Sequence, residues 1–338
     1  MPIGLILSKI GLLNHSFANK FDQYLVSGTY AGELIEWKQY LPQAITDLVF
    51  KYSGDYGFRL LQEYLSSVFL FFVSSTILYF TVSTFMYLML FVFFRKTFLP
   101  NHKGGNFKIW FDIKWSFYVI VFQSFAMSFL NLLIPRYSLV YYDINEYPKW
   151  WYYLTFLLHL AFNETWIYWT HYFGHYTQFG YQKLHWVHHV SIEFTPFSGW
   201  TFHPLDAFLQ GCNTLLSCYF FPIHISVIQF YSLFGGLWSI FLHDNIPWIP
   251  LKIFMYSPNH TIHHIQGHGR LSNLGHMTTV WDRIVGTYED PDIVDYGWHQ
   301  FPSFIKFCNF FNNIYDQICP DRSSKWKGNK SIPDKKQD

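Results

Sequence analysis

His171-Tyr-Phe-Gly-His175-Tyr-Thr-Gln-Phe-Gly-Tyr-Gln-Lys-Leu-His185-Trp-Val-His188-His189 carries five histidines, and their spacing points to a helical site. Residues three or four apart on a helix share one face. His171 and His175 therefore form one pair, and His185, His188 and His189 form a second cluster. Further along, His260-Thr-Ile-His263-His264 repeats the second pattern. Each cluster offers two or three imidazoles to a common point. Eight imidazoles exceed what one metal accepts and suit a two-metal centre. Imidazole binds Fe, Zn, Cu and Ni alike, so spacing alone does not choose the ion. A single HxxxH pair in an aromatic-rich chain is ordinary packing. Two HxxHH boxes and an HxxxH together are not, because neutral imidazoles near a membrane face are costly to leave unpaired.

The surrounding chain is built for a bilayer. Of 338 residues, 51% are hydrophobic and only 13% charged, about half the charge of a typical soluble domain. Aromatics reach 23%, and their rings tolerate both hydrocarbon and headgroups. Mean hydropathy is +0.09 and the pI about 7.7. With a net charge of +1 there is no electrostatic case for nucleic acid. Cys212, Cys218, Cys308 and Cys319 form no CxxC pair and read as inert thiols.

About 20 apolar residues cross a bilayer as a helix. Outward from the boxes, Trp150 to Trp169 is a candidate span interrupted by His159 and Glu164. Upstream, Tyr64 to Phe94 and Trp115 to Pro135 are uncharged. Downstream, Ala207 to His243 is uncharged but too long for one span, and Pro222 breaks helical hydrogen bonding. The sequence predicts an all-α, polytopic membrane protein of about four spans, the last two a hairpin, with a histidine-rich di-metal helical cap. Residues 1–63 read as a luminal or interfacial segment, 64–320 as the membrane-embedded domain and 321–338 as a charged tail. Met1 to Leu13 lacks the basic start and cleavage site of a signal peptide.

Arg95, Lys96, Lys103, Lys108 and Lys114 face a single Asp112 between the first two spans, so that loop is expected in the cytosol. Counting onward puts every histidine cluster and the C-terminus on the same side. Lys335-Lys336 near the end then resembles a di-lysine retrieval signal of the endoplasmic reticulum, which is receptor-read. Of the sequons at Asn14, Asn163, Asn259 and Asn329, this topology makes only Asn14 luminal.

The boxes, together with Thr195-Pro-Phe-Ser-Gly-Trp-Thr-Phe-His203-Pro-Leu-Asp206, His243-Asp244 and Trp281-Asp282-Arg283-Ile-Val-Gly286-Thr-Tyr288, resemble the fatty acid hydroxylase/sterol desaturase superfamily. Within it the chain is most similar to the sterol C5-desaturase (lathosterol oxidase) branch, over roughly Arg136 to Pro291. The placement of both early boxes within His171 to His189 favours this branch over membrane acyl-CoA desaturases. The chain departs from the branch between His264 and His276, where a longer loop carries Gln266-Gly-His268-Gly-Arg270.

The resemblance implies two irons, O2, and electrons from NAD(P)H through cytochrome b5 and its reductase. No His-Pro-Gly-Gly haem motif is present, since His203-Pro204 continues as Leu205, so the donor is expected to be a separate protein. Iron is also the chemical expectation. Oxidising an unactivated C–H bond needs redox chemistry that Zn²⁺ lacks, although a purified sample can carry Zn.

The expected metal ligands are His171, His175, His185, His188, His189, His260, His263 and His264, with His203 and His243 as candidate ninth and tenth. Glu164, Asp206, Asp244 and Asp282 are candidates to orient the ligand imidazoles. His15, His102, His159, His224 and His299 lack partners at ligand spacing and read as structural. His268 and His276 stay open.

The leading expectation is C5(6) desaturation of a Δ7-sterol. Another superfamily oxidase, a sterol C4-methyl oxidase or a sphingolipid fatty-acyl hydroxylase, is the first alternative. A histidine-rich metal transporter is the distant one, since transport sites lie near the bilayer midplane.

Overall fold

The protein is seen in a computed structural model that describes residues 37–99, 108–246, 251–267, 271–291 and 302–322. His15, His102, His268, His299, Lys103, Lys335, Lys336, Asn14 and Asn329 lie outside the described residues, as do most of the two expected terminal segments.

Helices dominate. The first, α1 (Gln43–Tyr87), continues through a wide turn at Leu88–Phe93. Gly54 interrupts it at φ 61°, a conformation that costs glycine little. A four-residue helix, α2 (Arg95–Phe98), precedes α3 (Ile109–Tyr137). The strand β1 (Val140–Tyr141) leads to α4 (Lys149–Tyr176). Then come α5 (Pro204–Gly211), α6 (Asn213–Leu216), β2 (Ile223–His224), α7 (Ile225–Phe241), α8 (Ser257–Gln266), α9 (Val280–Val285) and α10 (Pro302–Ile318). The β1–β2 pairing is parallel, with Val140 opposite Ile223 and Tyr141 opposite His224.

Among the described residues, two helical stretches are long and apolar enough to cross a membrane, Gln43–Phe93 and Ile109–Ile134. They cover the first two expected spans except for the last residue of each, Phe94 and Pro135. The third expected span is helical within α4, but His159 and Glu164 keep it below that apolarity. The Ala207–His243 segment is helical on both sides of Pro222. Its first limb is only the short α5 and α6, and a turn around Pro222 leads into α7, which is apolar but 17 residues long. At 1.5 Å per residue that is about 26 Å, near the lower end of the lengths that cross a bilayer.

The chain divides into two compact units. One takes the described part of Met1–Ile77 with Ile120–Leu160 and Cys212–Ser232. It holds the Glu63–Arg136 ion pair at 2.7 Å and the β1–β2 pair. His159 bonds there to Ser217 Oγ at 2.9 Å, and His224 donates to the Tyr142 carbonyl at 3.1 Å.

The other unit takes Leu78–Val119, Ala161–Gly211 and the described part of Leu233–Asp338, and so holds every box histidine. Its apolar packing includes Met86, Leu90, Phe91, Leu99 and Ile246. The Thr195–Thr201 turn is tied down from two helices in this unit, α1 and α7. Tyr79 Oη donates to the Phe197 carbonyl (2.9 Å), Ser83 Oγ to the Pro196 carbonyl (3.1 Å) and Ser239 Oγ to the Gly199 carbonyl (2.6 Å). Gly199 has no room for a side chain. A Cβ there would lie 2.7 Å from Ile240 Cα and 2.9 Å from the Ser239 carbonyl oxygen. Both obstacles are backbone, so Gly199→Ala is expected to destabilise by about 1–3 kcal/mol through overpacking. Thermal melting in detergent, with wild type alongside, measures it; an unchanged melting temperature would contradict this packing.

Candidate metal centre

The sequence spacing becomes geometry on three short elements. The last two turns of α4 present His171 and His175 one turn apart. Gly180 lets the chain turn tightly after α4, since a Cβ there would meet Thr177 Oγ1 at 2.6 Å and the Phe173 carbonyl at 2.8 Å. His185–Val190 then forms a 3-10 turn. Three residues per turn align His185 with His188. The third box lies on α8, where Pro258 in the first turn starts the helix without losing a needed N–H. His243 follows α7 directly, beyond its last turn.

Among the described residues these imidazoles fall into two groups. His171, His175, His185, His189 and His263 offer nitrogens all within 4.8 Å of one another. His188, His243, His260 and His264 do the same. All nine are buried.

The hydrogen bonds fix several tautomers. Nδ1–H of His171 donates to the Leu274 carbonyl (2.8 Å), of His188 to the Thr201 carbonyl (3.1 Å) and of His243 to the Ser239 carbonyl (2.8 Å). Nδ1–H of His263 donates to the Ser272 carbonyl (2.8 Å), and that of His185 to Asp206 Oδ2 (2.8 Å). In neutral imidazole the other nitrogen is then a bare lone pair.

Those lone pairs meet one another. His171 Nε2 lies 3.0 Å from His185 Nε2. His260 Nε2 lies 3.3, 3.2 and 3.1 Å from Nε2 of His188, His243 and His264 respectively. A single N–H on His260 cannot satisfy three neighbours, and His263 Nε2 has no hydrogen-bond partner. Converging lone pairs repel unless a cation lies among them. Nitrogens bound at about 2.0–2.1 Å to one ion are separated by about 2.9–3.4 Å, which brackets the observed contacts. The donor set fits two cations.

Burial and neighbouring imidazoles hold the pKa values of His188, His189, His260, His263 and His264 well below the usual histidine range. Burial takes His243 down to about 4. These rings are neutral in the folded protein, as ligands must be. The sign follows from linkage. A histidine whose folded pKa is depressed binds fewer protons folded than unfolded, so its stabilising contribution is lost as pH falls below about 6.5. Bound metal is therefore expected to be retained at pH 7.5 and released progressively toward pH 5, measured by elemental analysis after buffer exchange. Undiminished retention at pH 5 would contradict an all-imidazole site.

The eight box histidines and His243 join these groups; His203 does not. Its Nδ1 accepts the Leu205 N–H (3.2 Å) at the start of α5, and its ring faces Trp115 at 6.1 Å. That is a helix cap. His276 is also outside both groups, and burial lowers its pKa to about 4.

Of the four candidate carboxylates, Asp206 reaches an imidazole, that of His185. Burial would raise the Asp206 pKa, but His185 outweighs it and the carboxyl is held below its usual range. Glu164 instead accepts the N–H groups of Met277 (2.9 Å) and Thr278 (2.7 Å). Asp282 accepts those of Leu274 (2.7 Å) and Gly275 (2.8 Å). Between them they pin the segment whose Leu274 carbonyl orients His171. Asp244 accepts the Ile246 N–H at 2.7 Å. Sequence reasoning missed the carbonyl acceptors of Thr201, Ser239, Ser272 and Leu274, which carry no side-chain signal.

Comparison with known proteins gives a consistent result. Residues 156–287 match the fatty acid hydroxylase family model. The chain is 31% identical over 205 residues to a probable Delta(7)-sterol 5(6)-desaturase of Neurospora crassa, covering 60% of this chain and 58% of that protein. It is 32% identical over 171 residues to the lathosterol oxidase of Mus musculus (49% and 56%) and 32% over 186 residues to that of Homo sapiens (53% and 61%). The matches thus span little more than half the length of these curated relatives. No solved structure matches the chain. Residues 156–287, which hold both early boxes, the third box and His243, thus resemble the fatty acid hydroxylase family, in a chain similar to Delta(7)-sterol 5(6)-desaturases and lathosterol oxidases.

Proposed function

We propose that the protein is an O2-dependent di-iron oxidase of a membrane lipid, and that its reaction is C5(6) desaturation of a Δ7-sterol. The observation that carries this reading is the pair of buried imidazole groups whose ring nitrogens converge at 3.0–3.3 Å. In it, His171, His175, His185, His189 and His263 would hold one iron, and His188, His243, His260 and His264 the other. Bound iron supplies the redox chemistry for activating O2 toward an unactivated C–H bond, which redox-silent Zn²⁺ does not.

The chain's own residues do the rest. Asp206 and the carbonyls of Leu274, Thr201, Ser239 and Ser272 fix the imidazole tautomers and aim Nε2 inward. Phe194 and Phe202 pack against the imidazoles, Phe202 stacking on His188 at 4.0 Å, and help keep water out. The balance is simple. Two adjacent ring carbons each lose a hydrogen, and O2 takes up these with two electrons and two protons to leave as two waters.

Electrons would come from NAD(P)H through cytochrome b5 and its reductase. Residues 64–320 would work as a membrane-embedded domain in the endoplasmic reticulum with the C-terminus cytosolic. Support for the sterol comes from the similarity to desaturases acting at that position. The His264–His276 stretch, where the sequence departs from the branch, keeps a C4-methyl oxidase or sphingolipid fatty-acyl hydroxylase as the alternative.

Expression in a yeast lacking its own C5-desaturase tests the assignment, with sterols profiled by mass spectrometry. Δ5,7-sterols are expected to reappear. Untouched Δ7-sterols beside new 2-hydroxylated sphingolipids or 4-demethylated sterols would overturn the desaturase and leave the lipid oxidase.

A further inference from the structure

One buried carboxylate in the unit that holds the boxes belongs to none of them and was not among the expected site residues. Asp112 lies in the first turn of α3 and is only 1% exposed. Its carboxylate accepts hydrogen bonds from Ser191 Oγ (2.6 Å), Ser198 Oγ (2.9 Å) and Thr201 Oγ1 (3.2 Å). Ser191 follows His189 by two residues, and Thr201 supplies the carbonyl that accepts His188 Nδ1–H. One buried charge therefore closes both ends of the loop that follows the second box. The ties from Tyr79, Ser83 and Ser239 reach Pro196 to Gly199, Lys108 Nζ donates to the Val190 carbonyl (3.1 Å) and Trp200 Nε1 to the Gly236 carbonyl (3.0 Å), and Asp112 alone joins Ser191 to Thr201 through one carboxylate.

We propose that Asp112 is a positioning residue of the metal centre, fixing His188 through Thr201 and His189 through Ser191. The proposal rests on the metal-binding reading above. Three hydroxyl donors compensate the cost of burying the charge, and the Thr201 carbonyl is thereby held where the His188 ring must donate. Removing the charge unlinks Ser191 from Thr201, so the Nε2 atoms of His188 and His189 lose their aim while Pro196–Gly199 stays anchored. Effects of 10- to 100-fold on metal affinity are typical for groups that orient ligands in this way.

The experiment uses full-length protein in detergent. It reads metal per chain by elemental analysis and metal release into excess chelator over time. Asp112→Asn is expected to release at least one metal about tenfold faster or more than wild type. Thr201→Val keeps the carbonyl but loses the hydroxyl, and should accelerate the same release phase by less. The double variant should not exceed Asp112→Asn, because both changes cut one connection. Ser83→Ala loosens the same loop from α1 and should lower the melting temperature without changing release, which separates positioning from general stability.

If Asp112→Asn does not accumulate, Thr201→Val carries the test. Release unchanged in these variants, or accelerated equally in Ser83→Ala, would overturn the role of Asp112. Wild-type protein that binds no iron or zinc would overturn the metal reading itself, and the proposal with it.

Discussion

His263→Ala is expected to leave a protein that still inserts and folds but carries fewer than two metals per chain and forms no oxidised lipid. His263 is the member of the five-imidazole group with the clearest commitment. Its Nδ1–H is tied to the Ser272 carbonyl at 2.8 Å, and its Nε2 has no hydrogen-bond partner. Its ring centroid lies 4.6 Å from those of both His171 and His175. Alanine removes one donor and strands the Ser272 carbonyl. The remaining four lone pairs still repel, so a weakly held ion is lost to buffer. His188→Ala should do the same in the other group, where His188 Nε2 lies 3.0 Å from His264 Nε2. His203→Ala is the control. It removes a helix cap, at a typical cost of about 0.5–2 kcal/mol, and should keep both metals. Elemental analysis and lipid profiling read all three. Two metals in His263→Ala would defeat the site, and metal loss in His203→Ala would reinstate the tenth ligand.

The contrast between His203 and His243 shows where the sequence stops being informative. Both are single histidines next to an Asp or a Pro-Leu-Asp, and spacing ranked them equally. What separates them is the chain's path. His243 emerges from α7 with its Nδ1 bonded to the Ser239 carbonyl one turn back, which directs Nε2 to His260. His203 precedes Pro204 and is used to start a helix. Neither outcome follows from residue type.

The boxes were legible because a metal site needs several ligands on one face, and helical periodicity writes that into the sequence. The two long apolar helices were legible for a similar reason, since a bilayer demands length. In the Ala207–His243 segment the break at Pro222 was legible, but the division of the first limb into α5, α6 and a 3-10 turn was not, because apolarity alone does not encode it. Asp112 was read as one acid in a basic loop. Its real surroundings, Ser191, Ser198 and Thr201, are about eighty residues away in sequence, beyond any local pattern.

The charge on Asp206 should matter nearly as much as a ligand, and Asp206→Asn isolates it. Asp206 Oδ2 accepts His185 Nδ1–H at 2.8 Å, and Oδ1 accepts Gln210 Nε2 at 2.9 Å. Asparagine keeps an acceptor and the side-chain shape but loses the negative charge that makes His185 a stronger donor to a cation. It can also present N–H₂ to the ring, which would favour the wrong tautomer and turn a proton toward the metal. Loss of such a partner typically costs 10- to 100-fold in metal affinity or activity. Asp206→Asn is expected near about tenfold and Asp206→Ala near about 100-fold, the range given for such partners, because alanine leaves both His185 Nδ1–H and Gln210 without an acceptor. The ordering carries the argument. Metal content after graded chelator treatment, compared with lipid turnover in reconstituted membranes, should fall together in the series wild type, Asn, Ala. If turnover falls while metal affinity stays at the wild-type level, Asp206 acts on substrate or protons and not through His185. If neither changes, the bond to His185 is packing alone.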